Sequence, residues 1–323
     1  MIRLSRLLKF AALAVTAALA PLSYAQDYPT RPVSITVGMA PGGSNDTIAR
    51  LLAAELQKRT GQPFIVENKP GANSTIATAE IKNAKPDGYK LMLVISSHVT
   101  NTMLYPKLNY SLEDFKPITV VADTPFVLVA NPKFKPATVG EVIELAKTSK
   151  ESIDFGTPGM GSTQHIAMEL MDQMAGMKMN HIPYKGGAPA QADLLGGIIP
   201  LIFATPTQSL PFIKTGQLKA LGVTSKERIE QLPDVPTLDE SGLQGYESSV
   251  WFGVVAPAGT PDNIIDKLNT EIVAIVKSDE MRKRLQDMGL NPVGSTPQAF
   301  QALIDSEKSK WAEVIKTANI TVQ

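Results

Sequence analysis

The sequence predicts an α/β protein of two lobes joined by two crossing segments. Three observations carry this reading. Strand and helix patterns alternate from Val33 to Ser97 and again from Val139 to Thr224, long apolar runs follow each series, and Gly-rich turns join strand to helix in both halves.

The first 25 residues fall outside this fold. They combine a basic start (Arg3, Arg6, Lys9), an apolar stretch from Phe10 to Ala20, and a small-residue site, Ser23-Tyr24-Ala25, before Gln26. That pattern predicts a secretory signal peptide cleaved after Ala25 and a mature protein outside the cytoplasm. The apolar stretch is shorter than the ~20 residues a membrane-spanning helix needs. The absence of cysteine excludes disulfides, thiolate metal sites and lipid attachment through cysteine. Basic and acidic residues are balanced at 31 each, and removing the three leader cations leaves a mild acidity. There is no basic stripe, so nucleic acid is not an expected partner.

From Val33 to Ser97 the expected order is strand, helix, strand, helix, strand. Ile48, Leu51, Leu52 and Leu56 give the first helix its apolar face, Gly61 closes it, and Pro86-Asp87-Gly88 turns into a strand from Tyr89 to Ser96. His98 to Lys116 reads as irregular. The run from Ile118 through Pro125 to Ala130 reads as the first crossing. A second series then alternates: helix 139–147, strand 153–155, helix 164–174, strand 180–183, helix 188–195, strand 198–204, helix 207–215 and strand 220–224. Leu232 to Thr237 is punctuated by proline and reads as a surface segment, and Val250 to Ala256 reads as the return crossing. Apolar residues such as Ile265, Leu268, Ile272, Phe300, Ile304 and Trp311 predict C-terminal helices packed back on the first lobe. The expected division is residues 26–124 with 250–323 in one lobe and 125–249 in the other.

Such a clamshell closes on a small ligand, and ligands in α/β sheets lie beyond the carboxyl ends of strands. Two Gly-rich turns occupy such ends. Ala40-Pro41-Gly42-Gly43-Ser44-Asn45-Asp46 precedes the first helix, and a helix N-terminus offers unpaired N–H groups at the positive end of its dipole. Ser44 or Asp46 is able to cap this helix, and capping suits Asp46 better than contact with an anion. The second turn, Gly156 to Thr163, places Gly159 and Gly161 before Ser162 and Thr163, one of which is the expected cap. Ser162 stands where a phosphate-cradling loop needs lysine, so nucleotides are not expected. Tyr184, ahead of Gly186-Gly187, and the turn Asn68 to Thr75, with Ala72, Asn73 and Ser74, offer further polar groups, as does Ser97 at a strand end. His98, His165 and His181 have no metal-site spacing, and no metal or cofactor is expected. Met168, Met171, Met174, Met177 and Met179 read as core filler.

The mature chain resembles the extracytoplasmic solute receptors of tripartite tricarboxylate transporters, the Bug family. The resemblance is carried by Pro41-Gly42-Gly43 with Asp46 and Ala49-Arg50, Glu67-Asn68-Lys69-Pro70-Gly71-Ala72, Pro86-Asp87-Gly88-Tyr89, Gly159 to Ser162 with His165, Pro183-Tyr184-Lys185-Gly186, Leu194-Leu195-Gly196-Gly197, Leu232 to Thr237 with Glu240, and Ala256 to Pro261. It implies a type II periplasmic binding protein fold and places the mature protein in the periplasm. It also implies a monomer that captures a small organic carboxylate with backbone amides, hydroxyls and bridging waters, and delivers it to membrane permease subunits. Carried onto this sequence, the ligand-binding residues are Pro41, Gly42, Gly43, Ser44 and Asp46 from the first loop, and Thr157, Gly159, Gly161, Ser162, Thr163 and His165 from the second. Ala72, Asn73, Ser97, Tyr184 and Thr205 complete the set. Two departures bear on the ligand. Gly38-Met39 replaces an aromatic residue and proline before the first loop, and Ala204-Thr205-Pro206-Thr207 stands where an acidic residue is frequent, which disfavours an ammonium-bearing ligand. Two other functions fit the residues: a sensor of the same shape serving a membrane histidine kinase, and a hydrolase built on Ser162 and His165.

Overall fold

The computed structural model describes residues 28–318 and 320. The expected signal peptide, residues 1–25, lies outside them.

Six strands form the first sheet: β1 (Val33–Val37), β2 (Phe64–Asn68), β3 (Lys90–Ile95), β4 (Phe115–Pro125), β10 (Ser249–Pro257) and β11 (Asn291–Pro292), in the order β11-β4-β10-β3-β1-β2. β2, β1 and β3 run parallel, and β10 pairs antiparallel with both β3 and β4. β3 reads Lys-Leu-Met-Leu-Val-Ile because both of its faces are covered, as parallel strands require. Helix α1 (Ser44–Thr60) buries Ile48, Leu52 and Leu56, one every turn, and stops at Gly61, whose φ of 71° lets its N–H bond Gln57 O at 2.9 Å. With α2 (Thr75–Lys82) and the C-terminal helices α8 (Asp262–Val276), α9 (Asp279–Asp287) and α10 (Pro297–Thr317), it covers this sheet. The core between them joins Met92, Val94, Val120, Trp251 and Val255 to Ala77, Ile81, Phe300 and Ile304.

The second sheet contains β5 (Val127–Ala130), β6 (Asp154–Thr157), β7 (Asn180–Pro183), β8 (Leu201–Ala204) and β9 (Lys219–Val223), in the order β7-β6-β8-β5-β9. β7, β6 and β8 are parallel, and β5 is antiparallel to both of its neighbours. Helices α4 (Val139–Thr148), α5 (Thr163–Ala175), α6 (Gly187–Gly196) and α7 (Pro206–Lys214) belong to this sheet. Met168, Met171, Met177 and Met179 are buried around α5 and its exit, whereas Met174 is exposed.

Phe126 alone separates β4 from β5, so the chain changes sheets within one residue. Its N–H donates to Thr224 Oγ1 at 2.7 Å, and the Thr224 hydroxyl reaches Ser248 O at 2.5 Å on the returning passage. All three residues are fully buried. One threonine thereby staples the outgoing passage to the returning one.

Three expectations need correction. The stretch from His98 to Lys116 is not irregular: α3 (Ser97–Leu104) and a 3₁₀ turn, Leu112–Asp114, occupy most of it. Polar and β-branched residues give α3 little intrinsic helix propensity, and burial of Val99, Thr100, Asn101 and Leu104 overrides this. Residues 232–237 are not a detached surface segment. Val223 donates to Pro236 O and accepts from Leu238 N, both at 2.9 Å, and Leu238 is fully buried. Finally, α10 does not serve the first lobe alone. Its last turns place Trp311, Val314 and Ile315 against Leu104 of α3 and Ile166 of α5, and Gln173 Nε2 donates to Val314 O at 3.0 Å.

Candidate functional site

Both Gly-rich turns lie where β1 and β6 end and helices begin. In the first, Gly42 has φ 90°, a left-handed conformation, and Gly43 is the N-cap of α1. No side chain caps this helix. Thr47 N bonds Gly43 O at 3.0 Å, which leaves the first-turn amides of Ser44, Asn45 and Asp46 without an intrahelical acceptor. The Ser44 hydroxyl does not cap. Asp46 instead reaches back, accepting Gly42 N–H at 3.0 Å and Arg50 Nε at 3.0 Å through Oδ2, while Arg50 Nη2 stands 2.9 Å from Oδ1 as an ion-pair contact. The Arg50 hydrogen bond, ahead of the opposing burial, holds the Asp46 carboxyl below its usual range, so it stays ionised and paired. Arg50 also donates to Asn68 Oδ1 at 3.1 Å on β2. The amide of Gly42 is therefore spent on Asp46, whose negative charge is matched by Arg50. Pro41, Gly42 and Gly43 are exposed.

The second turn is finished differently. Ser162 caps α5, its Oγ accepting His165 N–H at 3.3 Å. Gly159 N donates to Thr157 Oγ1 at 3.2 Å, and Gly161 N donates to His165 Nδ1 at 3.1 Å. Thr157, Ser162, Thr163 and His165 are all buried. His165 turns its other nitrogen toward Glu169, 3.6 Å away, so neither ring nitrogen serves the Ser162 hydroxyl. A nucleophile–base pair needs that hydrogen bond, and the hydrolase arrangement is not built here. The glycine amides of this loop point into its own scaffold. The first-turn amides of Thr163 and Gln164 have no intrahelical acceptor.

Asn73 ties the two halves together. Its Nδ2 donates to Asn101 Oδ1 at 2.9 Å and lies 3.3 Å from Gly161 O across the lobes, while Asn101 Nδ2 returns a 2.8 Å bond to Asn73 O. Ala72, Asn73 and Ser74 adopt φ values of 43°, 51° and 74°, a run of left-handed residues without glycine. Such conformations cost about 1 kcal/mol or more each and persist where surrounding structure holds them. Ser74 is seated on Gly38, donating to its carbonyl at 3.2 Å, and a Cβ on Gly38 would come within 2.4 Å of Ser74 Cβ. Gly38 is thus required by the backbone turn above it. The Ala72–Ser74 turn thereby joins Gly38, at the end of β1, to Gly161 of the second loop.

Of the remaining expected site residues, Ser97, Thr163 and Thr205 bury hydroxyls that have no hydrogen-bond partner among the described residues. Each follows the end of a strand that has a parallel neighbour, on both lobes: β3, β6 and β8. Buried hydroxyls of this kind normally find a partner. Tyr184 differs, because its hydroxyl donates to Asp193 Oδ2 at 2.7 Å, which leaves it a corner post of the second lobe. Asn101 and His181 were not expected in the site and are now part of its support. Low helix propensity hid the first, and no local pattern marks the second. Among the described residues no cluster of metal-ligating side chains occurs, and no helix is long and apolar enough to cross a membrane.

Two α/β lobes joined by a pair of stapled crossing passages define a fold of the periplasmic binding protein type. The chain belongs to the tripartite tricarboxylate transporter receptor family, whose model matches residues 48–320. The family consists of solute-binding receptors of the periplasm, not enzymes. Protein BugT of Bordetella pertussis is 38% identical over 300 residues, covering 92% of each chain. Among solved structures, R. palustris Rpa4515 with adipate has a TM-score of 0.86 at 34% identity, covering 91% of this chain and 99% of its own. MatC from Rhodopseudomonas palustris, with bound malate, gives 0.82 at 31% identity, covering 89% and 100%.

Proposed function

We propose that this protein captures a small organic carboxylate between its lobes and delivers it to the permease subunits of a tripartite tricarboxylate transporter, after export to the periplasm through a leader cleaved at Ala25. The observation that carries the proposal is the pair of helix N-termini that follow β1 and β6, that of α1 uncapped and that of α5 capped by Ser162. Together these supply the amides of Ser44, Asn45, Asp46, Thr163 and Gln164 with no competing side-chain acceptor. Hydrogen bonds from neutral donors to a charged group contribute about 1.5–3 kcal/mol each, enough to hold a carboxylate without an arginine. The hydroxyls of Ser97, Thr163 and Thr205 supply partners for the rest of the ligand. With no free carboxylate among these groups, an ammonium-bearing ligand has nothing to pair with. Relatives holding adipate and malate support a ligand of this class. One chain contributes both lips, so a monomer suffices.

The test is a thermal shift panel of organic acids that includes adipate and malate beside the corresponding amides. A bound acid at a hundredfold excess over its dissociation constant should stabilise the protein by about 2.7 kcal/mol. Amides that stabilise as well as acids would overturn the anion-binding reading.

A further inference from the structure

We propose that His165 and His181 form a stacked pair beneath the second loop, turning the Gly159 and Gly161 amides inward and thereby positioning the Thr163 and Gln164 amides for the ligand. The inference rests on the reading of this loop as a binding lip, and assigns to both histidines a positioning role in place of ligand contact.

The geometry is as follows. His181, on the edge strand β7, lies with its ring centroid 3.8 Å from that of His165 and 13° from coplanar, and Phe155 stacks on His181 at 5.1 Å. His181 Nε2 is hydrogen-bonded to Thr157 Oγ1 at 2.6 Å, and the same oxygen accepts Gly159 N–H at 3.2 Å. His165 Nδ1 accepts Gly161 N–H, which fixes its tautomer with the proton on Nε2, toward Glu169. Glu169 is itself buried and held by Lys178 at 3.1 Å. Two relays result: Lys178 to Glu169 to His165 to Gly161, and His181 to Thr157 to Gly159.

The His165 relay needs an unprotonated Nδ1, and a neutral His181 keeps positive charge out of the ring stack. Burial, reinforced by His165, pushes the His181 pKa down to about 3. The charged groups around the pair are Glu169 and Lys178, with Asp172 on the same helix, whose Oδ2 accepts Met179 N–H at 2.9 Å. Asp154, at the start of β6, is paired with Asn180. A proton on His165 Nδ1 would confront the Gly161 N–H with a second donor, and a second proton on either ring would place positive charge in the stack.

The experiment uses the full mature chain without ligand, so its outcome is independent of whether any acid binds. With only three histidines in the sequence, ¹⁵N–¹H correlation spectra resolve each tautomer. His165 is expected as the Nε2–H tautomer with an accepting Nδ1. Hydrogen exchange at Gly159 and Gly161 should rise at least tenfold in His181→Phe, which keeps a ring but loses the hydrogen bond to Thr157. His181→Gln, which keeps a hydrogen-bonding group, should restore protection. A folded His181→Phe protein with unchanged exchange would overturn the proposal, and so would an Nδ1–H tautomer at His165. Should His181→Phe fail to fold, the tautomer measured in the wild-type protein decides alone.

Discussion

The two Gly-rich loops come from the same sequence device, a strand that stops at glycines and restarts as a helix, yet they are finished in opposite ways. The first is exposed, leaves its helix uncapped, and is anchored by one partly exposed ion pair, Asp46 with Arg50. The second exposes only Met160 at its tip, buries Thr157, Gly161, Ser162 and Thr163, is capped by Ser162, and is held by two imidazoles bonded to Thr157 and Gly161. The difference assigns roles. An uncapped terminus keeps its dipole and all its first-turn amides for an anion, whereas a pinned loop offers fewer donors in a fixed place. If the proposed ligand sits on both loops, one open and one pre-ordered partner lower the ordering cost of binding it.

The largest expected effect tests how the first loop is seated. Gly38→Ala forces a methyl into Ser74 and should destabilise the protein by about 1–3 kcal/mol, with partial recovery in the double variant with Ser74→Gly, measured by urea unfolding.

Acidification should separate the loops next. His181 and His98 titrate in the fold near 3 and 4, below the ordinary value of 6.5, each mainly because of burial. The unfolded chain therefore takes up these protons first. Their contribution is full above pH 6.5 and is lost as pH falls toward 3–4. Asp46, whose carboxyl is held below 3.8, keeps its contribution until lower pH. Asp172, pushed up to about 6 by burial, acts in the opposite sense, losing stability as pH rises through that value. The comparison to make is therefore the difference between wild type and His181→Phe across pH 4–7, which should shrink as the medium becomes more acidic. A constant difference would contradict the assignment.

Smaller effects follow from the caps. Ser162→Ala removes a cap and should cost about 1 kcal/mol in thermal unfolding. Ser44→Ala removes no cap and should change stability by less than ~0.5 kcal/mol. Equal losses from the two would erase the contrast between the loops.

Much of the fold was legible because its signals are local. Gly61 ends α1 by its left-handed φ, the 180–183 strand matches its predicted range, and the apolar runs on either side of Phe126 and after Ser248 mark the passages between sheets. α3 was missed because its burial depends on neighbours distant in sequence. Strand β8 begins at Leu201, not at 198, because Ile198 sits in the turn after the left-handed Gly197 and is 70% exposed. The loops themselves could be located from glycine and hydroxyl spacing. Which amides remain open could not, since Gly42 is claimed by a side chain four residues on, and Gly161 by a ring whose stacking partner lies on β7. Those are properties of side-chain orientation, which spacing alone does not set.

The tail of α10 has a practical consequence. The chain carries only two indoles: Trp251, embedded beside Phe300 in the first sheet, and Trp311, wedged between α3 and α5 with its Nε1 donating to Glu307 at 2.6 Å. Trp311 therefore packs against both lobes through Leu104 and Ile166, whereas Trp251 packs within the core of the first sheet. Ligand-dependent emission from Trp311 in a Trp251→Phe variant is the expected optical signature of a lobe movement, and unchanged emission would contradict one.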